Sequence, residues 1–267
     1  MSDSYGNVKN NISIGPVLSS QLPKGPSSFK RKKCGIIFFM LRKTPFVSGE
    51  IYHLYTRGVD KRKIFNDNSD KDRFLLLLFL GNDITDVRID EIDRIYKNKK
   101  DIYRKEERMS PIVDILAYCL MDNHVHLLVR ENEENGISRF ARKIFTSHAS
   151  YFNKRNGRSG ALFESRFKSK HVNSEAYFRW LFSYIHLNPL KLINADWKTR
   201  PLDINTVKQY VEFLKSYPYS SYKDYVRETR VEKAILCMDK IPDYFNLVMD
   251  IQKLFESMYT NEENIIP

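Results

Sequence analysis

The sequence predicts an α+β fold, an antiparallel sheet with helices packed on one face. Three observations carry this expectation. Strand-like and helix-like segments follow the order strand, helix, strand, strand, helix, extended segment. The two middle strands are separated by only two residues, which is hairpin spacing. The helical segments carry apolar residues on one side.

The elements follow in order. EIYHLYTR (50–57) is β-prone and ends at Gly58. Asn68 or Ser69 can cap a helix whose apolar part is 74–80. Residues 82–110 mix eight acidic with eight basic residues and read as a solvated helical insertion or loop outside the core. PIVDILAYCLM (111–121) and HVHLLVR (124–130) flank Asp122-Asn123 as the hairpin. Ile137, Phe140, Ala141, Ile144, Phe145, His148, Tyr151 and Phe152 recur at helical spacing, and Asn156-Gly157 and Ser159-Gly160 end that helix. Residues 161–172 are basic and partly extended. Ser174 starts another helix, which runs to about Asn188, where Pro189 stops it. An irregular Pro- and Tyr-rich stretch and terminal helices complete the chain. The expected organisation is a basic disordered leader over 1–45, a main domain over 46–190 with the insertion at 82–110, and a helical C-terminal extension over 191–267. Met40 offers an alternative start; a genuine basic tail fits the leader equally.

A net charge of +11 suits a polyanionic partner, either nucleic acid or an anionic membrane surface. The charge is concentrated. Residues 136–171 hold Arg139, Arg142, Lys143, Lys154, Arg155, Arg158, Arg166, Lys168 and Lys170 against Glu164 alone. Phe145, Tyr151, Phe152, Phe163 and Phe167 interleave with these cations, a pattern that neutralises phosphates and stacks on unpaired bases. A solvated basic face with core aromatics is the plainer alternative. No apolar run approaches the roughly 20 residues of a membrane span. Cys34, Cys119 and Cys237 form no CxxC pair, which favours a reducing, cytoplasmic compartment.

Two sets of residues suggest chemistry. His124 and His126 alternate with Val125, Leu127 and Val129, so both imidazoles share one strand face while the apolar set enters the core. Two adjacent imidazoles are natural ligands for a divalent metal, although the pair alone also fits a structural role. Tyr177, Trp180, Leu181, Tyr184 and Asn188 share one face of the last helix. The Asn188 amide oxygen can complete a metal site, or Asn188 can serve as a helix cap.

MDNHVHLLV (121–129), GALFESRFKSKHV (160–172), YIHLNPLK (184–191) and YPYSSYKDY (217–225) occur in that order. Together with IYHLYTRGVDKRKIF (51–65), these motifs resemble the REP-associated tyrosine transposases, within the single-tyrosine HUH transposases. The resemblance spans about 40–226 and omits the charged insertion. It implies a ferredoxin-like sheet, His124 and His126 as metal ligands, Tyr184 as nucleophile, and Asn188 as the polar residue assisting the metal. It also implies Mg²⁺ or Mn²⁺ as cofactor and hairpin-bearing single-stranded DNA as substrate, cut and rejoined through a 5′-phosphotyrosine without a nucleotide cofactor. No GxxxxGK[ST] loop is present, in keeping with that. Monomer and homodimer are both compatible. Asp122 replaces the proline usual in the family, a departure expected to alter the turn and not the chemistry. Two other functions fit the same residues: a hairpin-binding regulator that no longer cuts, and a metal-dependent hydrolase that uses water in place of tyrosine.

Overall fold

The structure is a computed structural model that describes residues 45–84, 99–105, 110–198, 203–226, 230–243 and 254–255. The expectations of a disordered leader and of an alternative start at Met40 lie outside the described residues.

Four strands form one antiparallel sheet: β1 (Ile51–Arg57), β2 (Val113–Met121), β3 (His124–Glu131) and β4 (Lys168–His171). Their order is β2-β3-β1-β4. Helix α1 (Asn68–Leu80) links β1 to β2, and α3 (Gly136–Arg155) links β3 to β4. This split βαβ arrangement is the ferredoxin-like topology. Right-handed crossovers place α1 and α3 together on one face. The other face receives α4 (Glu175–Leu187), whose Tyr184 ring meets His126 of β3.

Local chemistry sets the boundaries. The N-cap of α1 is Asp67, not Asn68 or Ser69; its carboxylate accepts from the Asp70 backbone N–H. Residues 74–80 are buried all round, as suits a helix enclosed by other elements. Ser174 caps α4 as expected, accepting from the Tyr177 N–H. Asp122 has a structural task. Its carboxylate meets Lys71 Nζ at 2.7 Å, and its backbone oxygen accepts from Ile64 N–H at 2.8 Å. The substituted turn thus ties the β2–β3 hairpin to the loop before α1.

Two stretches enter the core further than their composition suggested. Within the insertion, α2 (Lys99–Lys105) buries Ile102, and Tyr103 packs on Phe79 at 5.0 Å. The described part of 82–110 is therefore not purely solvated. Its mixed charges hid the apolar contacts of Ile102 and Tyr103. Asn82 adds a clamp, both accepting from and donating to the Val113 backbone. Residues 217–225, expected in the C-terminal extension, run along the outer edge of β2. Leu120 N–H donates to Tyr219 O at 2.9 Å, and Ser221 N–H to Tyr118 O at 3.0 Å. Tyr217 and Tyr225 donate their hydroxyls to the Leu120 and Leu116 carbonyls. An edge strand left bare would offer unpaired backbone groups for aggregation, and this segment covers it. Helices α5 (Ile204–Ser216) and α6 (Tyr222–Tyr225) flank the clasp.

Candidate active site

The site lies on the α4 face of the central strands. In the register, His126 sits opposite Tyr55 of β1 and Cys119 of β2, while His124 sits opposite Arg57 and Met121. Strand alternation turns both histidines the same way, and their rings stand 4.9 Å apart and nearly perpendicular. The chain between Tyr184 and Asn188 keeps helical geometry: Asn188 has φ −54° and ψ −37° in spite of Pro189. Asn188 opens a 3₁₀ turn over Asn188–Leu192, so it stays one turn beyond Tyr184 on the same face. It is also the C-cap residue of α4, as the proline suggested, and its amide still faces His124.

A chain of hydrogen bonds fixes the state of His124. Asn123 donates its Nδ2 to the Lys61 carbonyl at 3.1 Å. A carbonyl can only accept, so the Asn123 oxygen must face His124 Nδ1, 2.6 Å away. His124 therefore carries its proton on Nδ1, and its Nε2 is bare. That Nε2 faces the Asn188 Oδ1 at 3.4 Å. Two acceptor atoms confront each other, an arrangement relieved either by a cation between them or by turning the amide so that Nδ2 donates to the ring. The carbonyl that starts this chain sits in an unusual turn. Asp60 and Lys61 both have positive φ, 54° and 60°, strain on the order of 1 kcal/mol each.

His126 is enclosed. Its Nδ1 lies 2.9 Å from His53 Nε2, and its own Nε2 is buried with no partner. The Nδ2 of Asn188 is likewise buried and unpartnered. Burial pulls the His124 pKa down to about 4, with Lys191 and Arg57 adding to the effect and Asn188 opposing it. Burial, then His53, His124 and the nearby lysines, hold His126 well below the ordinary value. Both rings are neutral at physiological pH, with lone pairs available to a metal. The bare Nε2 of His124, the facing Asn188 oxygen and the buried, unpartnered Nε2 of His126 fit a divalent cation. Among the described residues no group of three or more His, Cys, Asp and Glu side chains is placed to hold a metal ion.

The Tyr184 ring meets His126 edge-on at 5.4 Å and stacks flat on Trp180 at 5.2 Å. Burial pushes its hydroxyl pKa up, and the Asn188 amide beside it pulls part of the way back. Lys198 lies 4.6 Å and Lys191 5.8 Å from the ring centroid. Neither lysine stood out in the sequence, although Lys191 closes the YIHLNPLK motif. Tyr177 lies further along α4, stacked on Trp180 and capped by Lys170 at 4.7 Å, with its pKa raised to about 12 by burial. Tyr151 is on α3, where it receives Arg73 at 4.2 Å.

The basic block does not behave as one surface. Arg155 binds Asp67 and the fully buried carboxylate of Asp70. Arg139 pairs with Glu133, Lys168 with Glu164, and Lys143 donates to the Asp83 carbonyl. Arg158 lies over the Phe152 ring at 5.7 Å, and Lys170 over Tyr177. Arg142, Lys154 and Arg166 are exposed and make no ion pair among the described residues. No described helix is long and apolar enough to cross a membrane.

Comparison with known proteins gives the family. A solved structure of a REP-associated tyrosine transposase bound to a REP hairpin is similar at 14% identity and a TM-score of 0.40, covering 77% of this chain and 93% of that one. No curated protein matches the chain. The family model of IS200-like transposases matches residues 47–188, which holds all four strands, both histidines, Tyr184 and Asn188. The chain belongs to the IS200-like transposase family.

Proposed function

We propose that this chain cuts and rejoins hairpin-bearing single-stranded DNA as a REP-associated tyrosine transposase, with Tyr184 as nucleophile. One observation carries the reading: the Tyr184 ring abuts His126, while Asn188, one turn on, faces the bare Nε2 of His124. His124, His126 and Asn188 would hold Mg²⁺ or Mn²⁺. The cation would supply Lewis-acid stabilisation of charge on the scissile phosphate.

The protein's own groups do the rest. The Tyr184 hydroxyl attacks phosphorus and loses its proton; the bond to the 3′ oxygen breaks, and that oxygen gains a proton. The product is a 5′-phosphotyrosine, and a DNA 3′-OH reverses the same step without an energy source. Trp180, stacked on the nucleophile, holds its ring in place. Lys191 and Lys198 bring positive charge to the position that a phosphate would occupy.

The test is incubation of labelled hairpin DNA with the protein and Mn²⁺, then denaturing electrophoresis and mass spectrometry of the linked peptide. Wild type should give a covalent adduct at Tyr184. Tyr184→Phe should bind the hairpin and give none, because only the hydroxyl is lost. Tyr177→Phe and Tyr151→Phe should retain adduct formation. An adduct on another tyrosine overturns the assignment. Hairpin binding without any adduct in the wild type would favour the non-cleaving regulator, and cleavage without an adduct the water-using hydrolase.

A further inference from the structure

We infer that His53 on β1 is the positioning residue for His126, accepting its Nδ1–H and so presenting the bare Nε2 to the metal position. The inference rests on the metal reading above and names a residue that the two-histidine motif does not contain.

The pair is isolated. His53 Nε2 and His126 Nδ1 are 2.9 Å apart, and both rings are buried. Among the described residues His126 makes no other hydrogen bond. A contact between two neutral imidazoles needs one proton on that axis, which leaves two arrangements. If the proton sits on His53, then His126 is protonated on Nε2. That N–H would be buried without an acceptor, at a cost of roughly 1–3 kcal/mol, and the atom would be closed to a cation. If the proton sits on His126 Nδ1, the bare Nε2 joins the bare Nε2 of His124 and the Asn188 oxygen. Only the second arrangement gives a coherent donor set.

His53 is built to hold that role. Its ring stacks on Tyr55 at 4.8 Å and lies nearly parallel to His126. His124 obtains the same service from Asn123. Each proposed ligand thus has its own acceptor behind Nδ1, one from the hairpin turn and one from the neighbouring strand. Such partners fix ring orientation and tautomer, and their loss typically costs about 10- to 100-fold in metal affinity.

The experiment titrates Mn²⁺ alone into the full chain by calorimetry, comparing wild type, His53→Leu, His53→Gln and His126→Ala. His53→Leu should lose about 10- to 100-fold in affinity, with hairpin binding in EDTA unchanged. His53→Gln, which keeps an acceptor, should recover part of the loss. Long-range ¹H–¹⁵N spectra of the metal-free wild type should show His126 protonated on Nδ1, a readout that needs no variant to fold. Wild-type affinity in His53→Leu, or Nε2–H on His126, would overturn the role of His53 while leaving the metal reading intact. Identical weak binding in wild type and His126→Ala would overturn the metal reading and this inference with it.

Discussion

One short motif, YIHLNP, feeds two regions with opposite treatment of buried polar groups. Tyr184 and Asn188 project into the site, where the Nε2 of His126 and the Nδ2 of Asn188 have no partner. His186, between them, points the other way into the clasp along β2. There its Nδ1 donates to the Phe182 carbonyl and its Nε2 meets the Ser221 hydroxyl, both at 2.8 Å. Ser221 also accepts from the Tyr118 N–H. Nearby, Arg230 reaches Asp224, the Tyr118 hydroxyl and the Ser220 carbonyl. In the clasp the named groups are satisfied and hold the helix to the sheet. In the site, coordinating capacity is left open. Natural interiors rarely leave buried polar atoms unpaired; His148 Nδ1 and Trp197 Nε1 are unpaired elsewhere, but in the site two such atoms stand beside His124.

The sharpest way to break the comparison is to exchange the two histidines' fates. His126→Leu should abolish adduct formation and cost about 1–2 kcal/mol, since it removes one unpartnered nitrogen and one buried hydrogen bond, to His53. His186→Leu removes two buried hydrogen bonds, to the Phe182 carbonyl and to the Ser221 hydroxyl. It should cost about 2–3 kcal/mol in urea unfolding, with Mn²⁺ binding preserved in the folded fraction. Equal destabilisation by both would mean that the site histidine is structural too.

Acid should reveal the same division more gently. His53, His124, His126, His148 and His186 all have folded pKa values held below 6.5, with burial the leading cause. The unfolded chain takes up protons below that ordinary value, whereas the folded chain resists until about 4 at His124 and His148 and about 3 at His53 and His186. Their stabilisation is therefore present above pH 6.5 and is lost as pH falls toward the folded values. Each contributes a slope of roughly 1.4 kcal/mol per pH unit. If His124 and His126 hold the metal as proposed, Mn²⁺ should move the acid transition of the wild type to lower pH, because that site exists only in the folded state. In His126→Ala the shift should vanish. An equal shift in both proteins would mean that the cation binds elsewhere.

The smallest effects concern the basic residues, which divide in the same manner. Arg155→Ala should lower the melting temperature, since it leaves the carboxylate of Asp70 buried without its cation, and should scarcely alter DNA affinity. Replacing Arg142, Lys154 and Arg166 by alanine should leave the melting temperature in place. It should flatten the salt dependence of hairpin binding by up to about 0.7 in slope per lost phosphate contact. Unchanged salt dependence in that triple variant would make these cations a solvated face only.

What could be read from the chain alone was whatever depends on local periodicity. The alternation of β3 put His124 and His126 on one face, and helical spacing put Tyr184 with Asn188; both hold in the fold. The strand and helix order gave the antiparallel sheet, and the motif order gave the family. Contacts made between distant segments stayed hidden. Nothing in EIYHLYTR distinguishes His53 as a partner for a ring 73 positions away, and that pairing arises only from the β1–β3 register. Likewise, a run of arginines and lysines does not tell which are already neutralised; the approach of α1 to α3 decides that for Arg155. The YPYSSY tyrosines looked like an irregular tail until β2 supplied the carbonyls they bind. Periodicity records which way a side chain points, because backbone geometry repeats along the chain. Whether a buried nitrogen is spent or left open depends on atoms brought near it from elsewhere, and only tertiary packing decides that.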